Sequence, residues 1–248
     1  NAGYYFLRLK DHRQRGGPHY VYRIIISRKQ NKLSLHLPPS QNRTQLGQTI
    51  HLPAKGKILC MLSVQRDGAS DNESIEVKGL PQGVTVRLLK HAAGSDRLPL
   101  LFEADQQAKA GAALIRPFIN NAQNLSGSLE QEVVMVHGAN NQAFQILQFK
   151  QLALAVTKAP PFTFRVESQD LILPRYGSRK IKIHLQRDKD FKGPVKIKMA
   201  YKAPGFSSID QITMAADKNE ATYEINADGN TALGKWPLVF TASCSHQG

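Results

Sequence analysis

Two short stretches carry the densest charge on a regular spacing. In "RKIKIHLQ" (179–186) the apolar Ile181, Ile183 and Leu185 alternate with Lys180, Lys182 and His184. In "PVKIKMAY" (194–201) Val195, Ile197 and Met199 alternate with Lys196 and Lys198. Alternation by two puts the lysines on one side of a strand and the apolar set on the other. If "RDKDFKG" (187–193) closes a hairpin within one sheet, the lysines line one cationic surface. If the two strands lie in opposite sheets of a sandwich, the patch is split. An ordinary solvated face is the bland reading of both. A second cationic group, Arg8, Lys10, Arg13, Arg15 and Arg23, surrounds the opening "DHRQRGGPHYVYR" (11–23). The expected anion-facing residues are therefore Lys180, Lys182, Lys196, Lys198, Arg13 and Arg15.

Other chemistry finds little support. There is no Gly-x-Ser-x-Gly elbow and no His-Glu-x-x-His pair, and the eight histidines are scattered. No Walker loop or dinucleotide fingerprint occurs, so no catalytic residue and no cofactor is expected. In "DGASDNE" (67–73), Asp67, Asp71 and Glu73 offer oxygen ligands for calcium, but without the spacing of an EF-hand. An acidic hairpin tip is the plainer meaning. Cys60 and Cys244 are the only cysteines, too few for a disulfide scaffold or a four-cysteine zinc site. They read as two buried free thiols in separate domains.

The 33 Lys and Arg residues exceed the 19 acids and give a formal charge of +14 over 248 residues. Such a surface favours anionic partners, acidic polysaccharide first among them. Nucleic acid is not expected, because neither an RNA-recognition signature nor a groove-entering helix is legible. No apolar run approaches the roughly 20 residues of a membrane-spanning helix. Starting at Asn1 without a Met, the chain reads as an internal or processed piece of a longer protein.

The elements that must position these residues are strands. Alternation runs through "KILCMLSVQ" (57–65), "SIEVKGL" (74–80), "GVTVRLL" (83–89), "PLLFEA" (99–104) and "AALIRPFIN" (112–120). It continues through "EVVMVHG" (132–138), "QLALAVT" (151–157), "PFTFRVE" (161–167), "DQITMAA" (210–216), "ATYEINA" (221–227) and "WPLVFTAS" (236–243). "YYFLRLK" (4–10) and "HYVYRIIIS" (19–27) flank Gly16-Gly17-Pro18 and read as a hairpin. "ADQQAKAGAAL" (104–114) reads as a loop with at most one helical turn. Short strands punctuated by Gly, Pro, Asn and Asp indicate an all-β, antiparallel sandwich.

The chain also resembles itself. "LPAKGKILCMLSVQRD" (52–67) matches "LPRYGSRKIKIHLQRD" (173–188), with Pro53 and Pro174, and Gly56 and Gly177, 121 apart. "FEADQQAKAG" (102–111) matches "INADGNTALG" (225–234) at 123, and Pro81 falls opposite Pro204. A duplicated folding unit follows, with its seam at "VTKAPPFTF" (156–164). The expected organisation is a terminal hairpin over 1–30, a first immunoglobulin-like sandwich over 31–157 and a second over 158–248, its last strand or strands missing.

"YYFLRLKDHRQRGGPHYVYRIIIS" (4–27), with Asp11, Gly16, Gly17, Pro18, Tyr22 and Arg23, resembles the end of bacterial pre-peptidase C-terminal-like domains, as in planctomycete exported and surface proteins. "QRD" followed by "IEVKGLPQGVTV" resembles the immunoglobulin-like repeats that follow there. "YKAPGFSS" (201–208) departs from that pattern. The resemblance implies a non-catalytic structural or adhesive segment of an exported protein, located extracellularly, in the periplasm or at the cell surface. Its partners would be other domains of the parent chain or other surface proteins. The competing expectation is an accessory module that binds acidic glycans beside an extracellular enzyme domain.

Overall fold

A computed structural model describes residues 4, 6–8, 11–13, 15–21, 23–25, 31–37, 49–68, 72–121, 125–167 and 171–245. The chain divides into two compact units, residues 1–30 and 31–248.

In chain order the strands are β1 (Lys32–His36), β2 (Thr49–Pro53), β3 (Lys57–Asp67), β4 (Glu73–Lys78), β5 (Val84–Leu88) and β6 (Arg97–Ala104). Then come β7 (Gly111–Asn121), β8 (Ser126–Ser128), β9 (Gln131–His137), β10 (Ala143–Phe149) and β11 (Leu152–Thr157). The last seven are β12 (Phe162–Val166), β13 (Ser178–Arg187), β14 (Val195–Tyr201), β15 (Phe206–Ser208), β16 (Ile212–Met214), β17 (Glu220–Ala227) and β18 (Val239–Ser243).

The architecture is all-β. One four-stranded sheet has the order β1-β3-β6-β5, and the sheet that faces it runs β2-β11-β7-β4, with β8 on β7. Strands three, four, five, six and seven switch sheets in the way B, C, D, E and F do in an immunoglobulin sandwich. β11 then lies antiparallel to β7 and parallel to β2. Between the sheets sits a core that includes Leu35, Leu52, Leu98, Leu100, Ile115, Ile119 and Leu154, each removed from water. The strands β9 and β10 form a separate two-stranded ladder, and every residue of β10 is exposed.

The pattern begins again at β12. The order β12-β13-β17-β15 repeats β1-β3-β6-β5, and β16-β14-β18 forms the facing sheet. Ile183, Val195, Ile197, Tyr223 and Ile225 fill a second core, separate from the first. Phe162 stacks on Phe191 at 5.8 Å, closing one end of it.

The internal likeness extends to backbone detail. Lys55 and Tyr176, 121 residues apart, both hold positive φ, at 58° and 60°. Each lies in a turn closed by the Gly N–H bonding the Pro carbonyl: Gly56 to Pro53 at 3.0 Å, Gly177 to Pro174 at 3.1 Å. Each Gly carbonyl then accepts from an alanine, Ala104 or Ala227, at 2.9 Å. Gly83 (φ 76°) and Gly205 (φ 78°) occupy a second shared turn, and their carbonyls accept from Asp105 and Asp228. A Cβ at Gly83 would strike the Asp105 carboxylate, and one at Gly205 the Thr231 backbone, so both positions need glycine. This turn corrects the alignment by one residue. Pro81 corresponds to Ala203, not to Pro204, because Val84 bonds Pro81 and Phe206 bonds Ala203.

The segment 104–114 holds the expected loop, without a helical turn. Asp105 caps it by accepting from the N–H groups of Gln107 and Ala108, and β7 starts at Gly111. The described residues of 4–25 carry no strand ladder, so the hairpin expected at 4–10 and 19–27 is not formed among them. A turn does close there, with Tyr20 N–H bonding the Gly17 carbonyl at 3.0 Å. Tyr4 and Phe6 are each 98% exposed. A two-stranded hairpin without an apolar face to cover it is marginal in water, and alternation alone does not supply that face. Tyr22 and Lys10 lie outside the described residues.

Candidate binding surfaces

The lysine-bearing strands are in opposite sheets. Ile181, Ile183 and Leu185 of β13 point into the second core, as do Val195 and Ile197 of β14, so the lysines point away on either side. Lys180 and Lys182 therefore never meet Lys196 and Lys198. Of the two arrangements that the sequence left open, the split one is realised.

The two faces differ in their neighbours. Lys180 stands opposite Glu224, and His184 opposite Glu220. His184 also bridges two acids, with Nδ1 3.0 Å from Glu220 and Nε2 3.9 Å from Glu167. Interleaved carboxylates thus largely cancel the charge of the β13 face. On β14, Lys196 stands between Thr213 and Ser243, and Lys198 opposite Thr241. Those neighbours are hydroxyls, and the two ammonium groups make no ion pair among the described residues. Lys196 and Lys198 are the more available pair. In the first unit, Arg15 is drawn onto Asp11, whose carboxylate accepts its backbone N–H at 3.0 Å, while Arg13 is exposed.

The acidic loop is committed elsewhere. Glu73 is fully buried at its side chain and ion-paired with Arg66, so its carboxylate is directed at a guanidinium. Asp71 lies outside the described residues. No group of three metal-ligating side chains occurs among the described residues. The cysteines are free, but both are only partly buried. Burial pushes the Cys60 thiol up to about 12. Burial also raises Cys244, against a smaller opposing pull from Arg187.

The side-chain contacts that hold the joint between the sandwiches carry no signal in the sequence. Only Lys158–Pro161 separate β11 from β12, and Pro160-Pro161 stiffen that step. Across it, the Lys90 ammonium donates to the Lys235 carbonyl at 2.9 Å and sits 4.4 Å over the Trp236 ring. The Tyr201 hydroxyl donates to the Lys90 carbonyl at 2.6 Å. Partial burial there raises the Tyr201 hydroxyl above its ordinary pKa. One lysine is thus held at its backbone and its tip by the neighbouring sandwich. No local pattern could have paired residue 90 with residues 201 and 236, since the contact is purely tertiary.

Beside the joint opens a cleft of about 1410 Å³. Its walls include Leu59 and Leu101 of the first sandwich and Phe164, Leu173, Leu238 and Phe240 of the second. Part of it lies between the two sheets of the second sandwich, on the side where β18 forms the sheet edge.

No protein-family model matches the chain, and neither does any curated protein. Solved structures do. The D00-D0 domain of intimin is 11% identical, with 87% of this chain and all (100%) of that one covered, at a TM-score of 0.28. The titin domains Z1Z2, solved in complex with telethonin, are 8% identical, with 88% and 96% covered, at a TM-score of 0.23. At those scores the immunoglobulin-like assignment rests on the strand order and register described above.

Proposed function

We propose that this chain is a non-catalytic structural or adhesive segment of a larger exported bacterial protein, holding two sandwiches as a stiff spacer or assembly surface. The observation that carries this reading is the joint. Neighbouring domains on a chain move relative to one another by default. Here a four-residue, proline-stiffened connector is reinforced by the Tyr201 and Lys235 contacts of Lys90 and by its seat on Trp236. Hydrogen bonds of this kind contribute about 1 kcal/mol each, and a partly exposed cation–π contact about 0.5–1 kcal/mol. Together they restrain an orientation without adding any reactive group, which suits a mechanical role. The resemblance of residues 4–27 to pre-peptidase C-terminal-like domains supports the exported setting, with other domains of the parent or other surface proteins as partners.

Small-angle scattering tests the reading. The wild-type chain is expected to fit one interdomain arrangement, and Lys90→Ala with Tyr201→Phe to broaden it. A wild-type profile that already needs a wide range of arrangements rejects a stiff spacer.

A second reading, a module for acidic glycans, is favoured by one observation: Lys196 and Lys198 emerge among hydroxyls, without carboxylates opposite them. Retention on a sulfated-glycan column should then fall with salt, because exposed charges are screened within about 10 Å at 0.1 M. It should be lost in Lys196→Ala/Lys198→Ala and kept in Lys180→Ala/Lys182→Ala. Equal loss in both double variants would mark nonspecific attraction to a basic protein.

A further inference from the structure

One element of the first sandwich lies outside its core. Between β8 and β11 the chain leaves the sheet as the β9–β10 hairpin, which pairs with no other strand among the described residues. Both of its feet are anchored. At one, Leu129 is buried and bridges Leu35, and the Glu130 N–H bonds the Leu35 carbonyl at 2.7 Å. At the other, Leu152 returns to the core. In between, Met135, Val136, Phe144, Ile146, Leu147 and Phe149 are exposed, Phe144 to 71%. A two-stranded ladder alone is marginal in water, and three strands with an apolar face are the usual minimum.

The hairpin also differs from the rest of the chain in charge. Residues 133–149 hold no Asp, Glu, Lys or Arg, the longest such run in a chain that is 21% charged. No Lys or Arg stands between Arg116 and Lys150, although the chain carries 33 of them. The acid at the foot of the hairpin, Glu132, is engaged by the Gln148 amide at 3.2 Å. Edge strands are ordinarily blunted by lysines, proline or a bulge. The outer edge of β10 has neither lysine nor proline. Its ladder to β9 is irregular between Ala143 and Ile146, and regular from Ile146 to Phe149.

We propose that β10 is a self-association edge, through which the hairpins of two copies join antiparallel into one four-stranded sheet. This rests on the assembly-surface reading of the function and names its partner. Three arguments select a second copy. The free edge carries backbone N–H and C=O groups over seven residues, and a lipid surface offers them no partners. A strand meeting itself about a two-fold axis satisfies both sides with one sequence. Two copies at a formal +14 each repel where their basic residues meet, and this hairpin is where they can approach without opposed cations. An acidic partner is drawn to the lysine-bearing faces instead. A two-fold axis at Ile146 or Leu147 sets the two residues 146 directly opposite or diagonal, within reach of long side chains.

Sedimentation of the whole chain tests this. A dimer that grows with concentration is expected. Ile146→Lys should weaken it roughly tenfold or more, because two ammonium groups then face each other across the axis. Ile146→Glu should do the same, and an equal mixture of the two variants should recover the dimer. Ile146 is exposed, so neither variant opens a core, and unchanged melting of both sandwiches checks that. A wild-type chain that stays monomeric overturns the proposal. So do variants that dimerise like the wild type, or a mixture no better than either variant alone. A monomer that sediments with vesicles of phosphatidylcholine and phosphatidylglycerol, and loses this in Phe144→Ala, overturns it in favour of lipid. A monomer whose scattering fits one interdomain arrangement leaves the stiff-spacer reading standing, so the two fail separately.

Discussion

Among the described residues Tyr223 is the largest side chain fully removed from water, and its hydroxyl has a specific task. The β14–β18 ladder slips between Met199 and Tyr201, an irregularity that leaves backbone groups unpaired. The Tyr223 hydroxyl accepts the Met199 N–H at 3.2 Å and donates to the Ile209 carbonyl. Its ring meets Phe240 edge-on at 5.2 Å. Tyr223→Phe keeps the ring and its packing and removes only the oxygen, stranding one N–H and one C=O. Two hydrogen bonds at about 1 kcal/mol each give a loss of about 2 kcal/mol. For a domain of this size 1 kcal/mol corresponds to roughly 4–8 °C, so its melting should drop by roughly 8–16 °C. Calorimetry measures this, with Leu154→Ala, a buried position in the first core, marking the other transition. A drop under 2 °C would refute the role given to the hydroxyl. Both variants moving one and the same transition would refute two separately melting cores.

Glu73→Ala leaves the Arg66 guanidinium buried without its partner and should destabilise the first sandwich by about 3–5 kcal/mol, measured by urea titration. Added calcium should leave the melting temperature of the wild-type chain unchanged in a dye-based scan, since Glu73 is already committed to Arg66. The Cys60 thiol, raised from 9.0 to about 12 by burial, is neutral in the folded state well beyond the pH at which it ionises unfolded. Its contribution is full below pH 9 and is lost as pH climbs from 9 towards 12, so Cys60→Ala should flatten that alkaline decline in stability. At pH 8 a thiol reagent should modify Cys244 faster than Cys60: burial raises both thiols, to about 12 at Cys60, but only at Cys244 does a cation, Arg187, offset part of the rise. Lys55→Gly relieves a positive-φ residue and should stabilise the first sandwich by about 1 kcal/mol, visible as a higher melting temperature.

Alternation was enough to place β4, β7, β11, β13, β14 and β17, because their alternate residues differ in burial, whereas β6, buried continuously from Leu98 to Phe102, shows as a short apolar run. It could not place the three-residue strands β8 and β15, which have no period to read. Nor could it find β10, whose "AFQILQF" mixes both faces and buries neither. The candidate surface was legible by residue but not by arrangement. Lys180 and Lys196 look alike in sequence, and only the Greek-key crossing between sheets gives one of them Glu224 and the other Thr213 and Ser243 as neighbours.

The repeated "LP-x-x-G" segment separates what a local sequence can specify from what it cannot. The turn at Pro53–Gly56 returns at Pro174–Gly177 with the same hydrogen bond and the same positive φ, although Lys55 and Tyr176 are chemically unlike. Local sterics and one backbone bond therefore suffice for the turn. The three residues before it do not behave alike: Ile50, His51 and Leu52 are in a strand, while Leu171, Ile172 and Leu173 are not. Apolar content does not account for this, since the second set is the more apolar. What the first set has is β11, a strand arriving from 100 residues later in the chain to complete the ladder. A strand is a property of two segments, so the state of residues 171–173 reports on their neighbour. Their amides should remain fast in hydrogen exchange until a strand occupies the flank beside β18, and should slow together with those of β18 when one does.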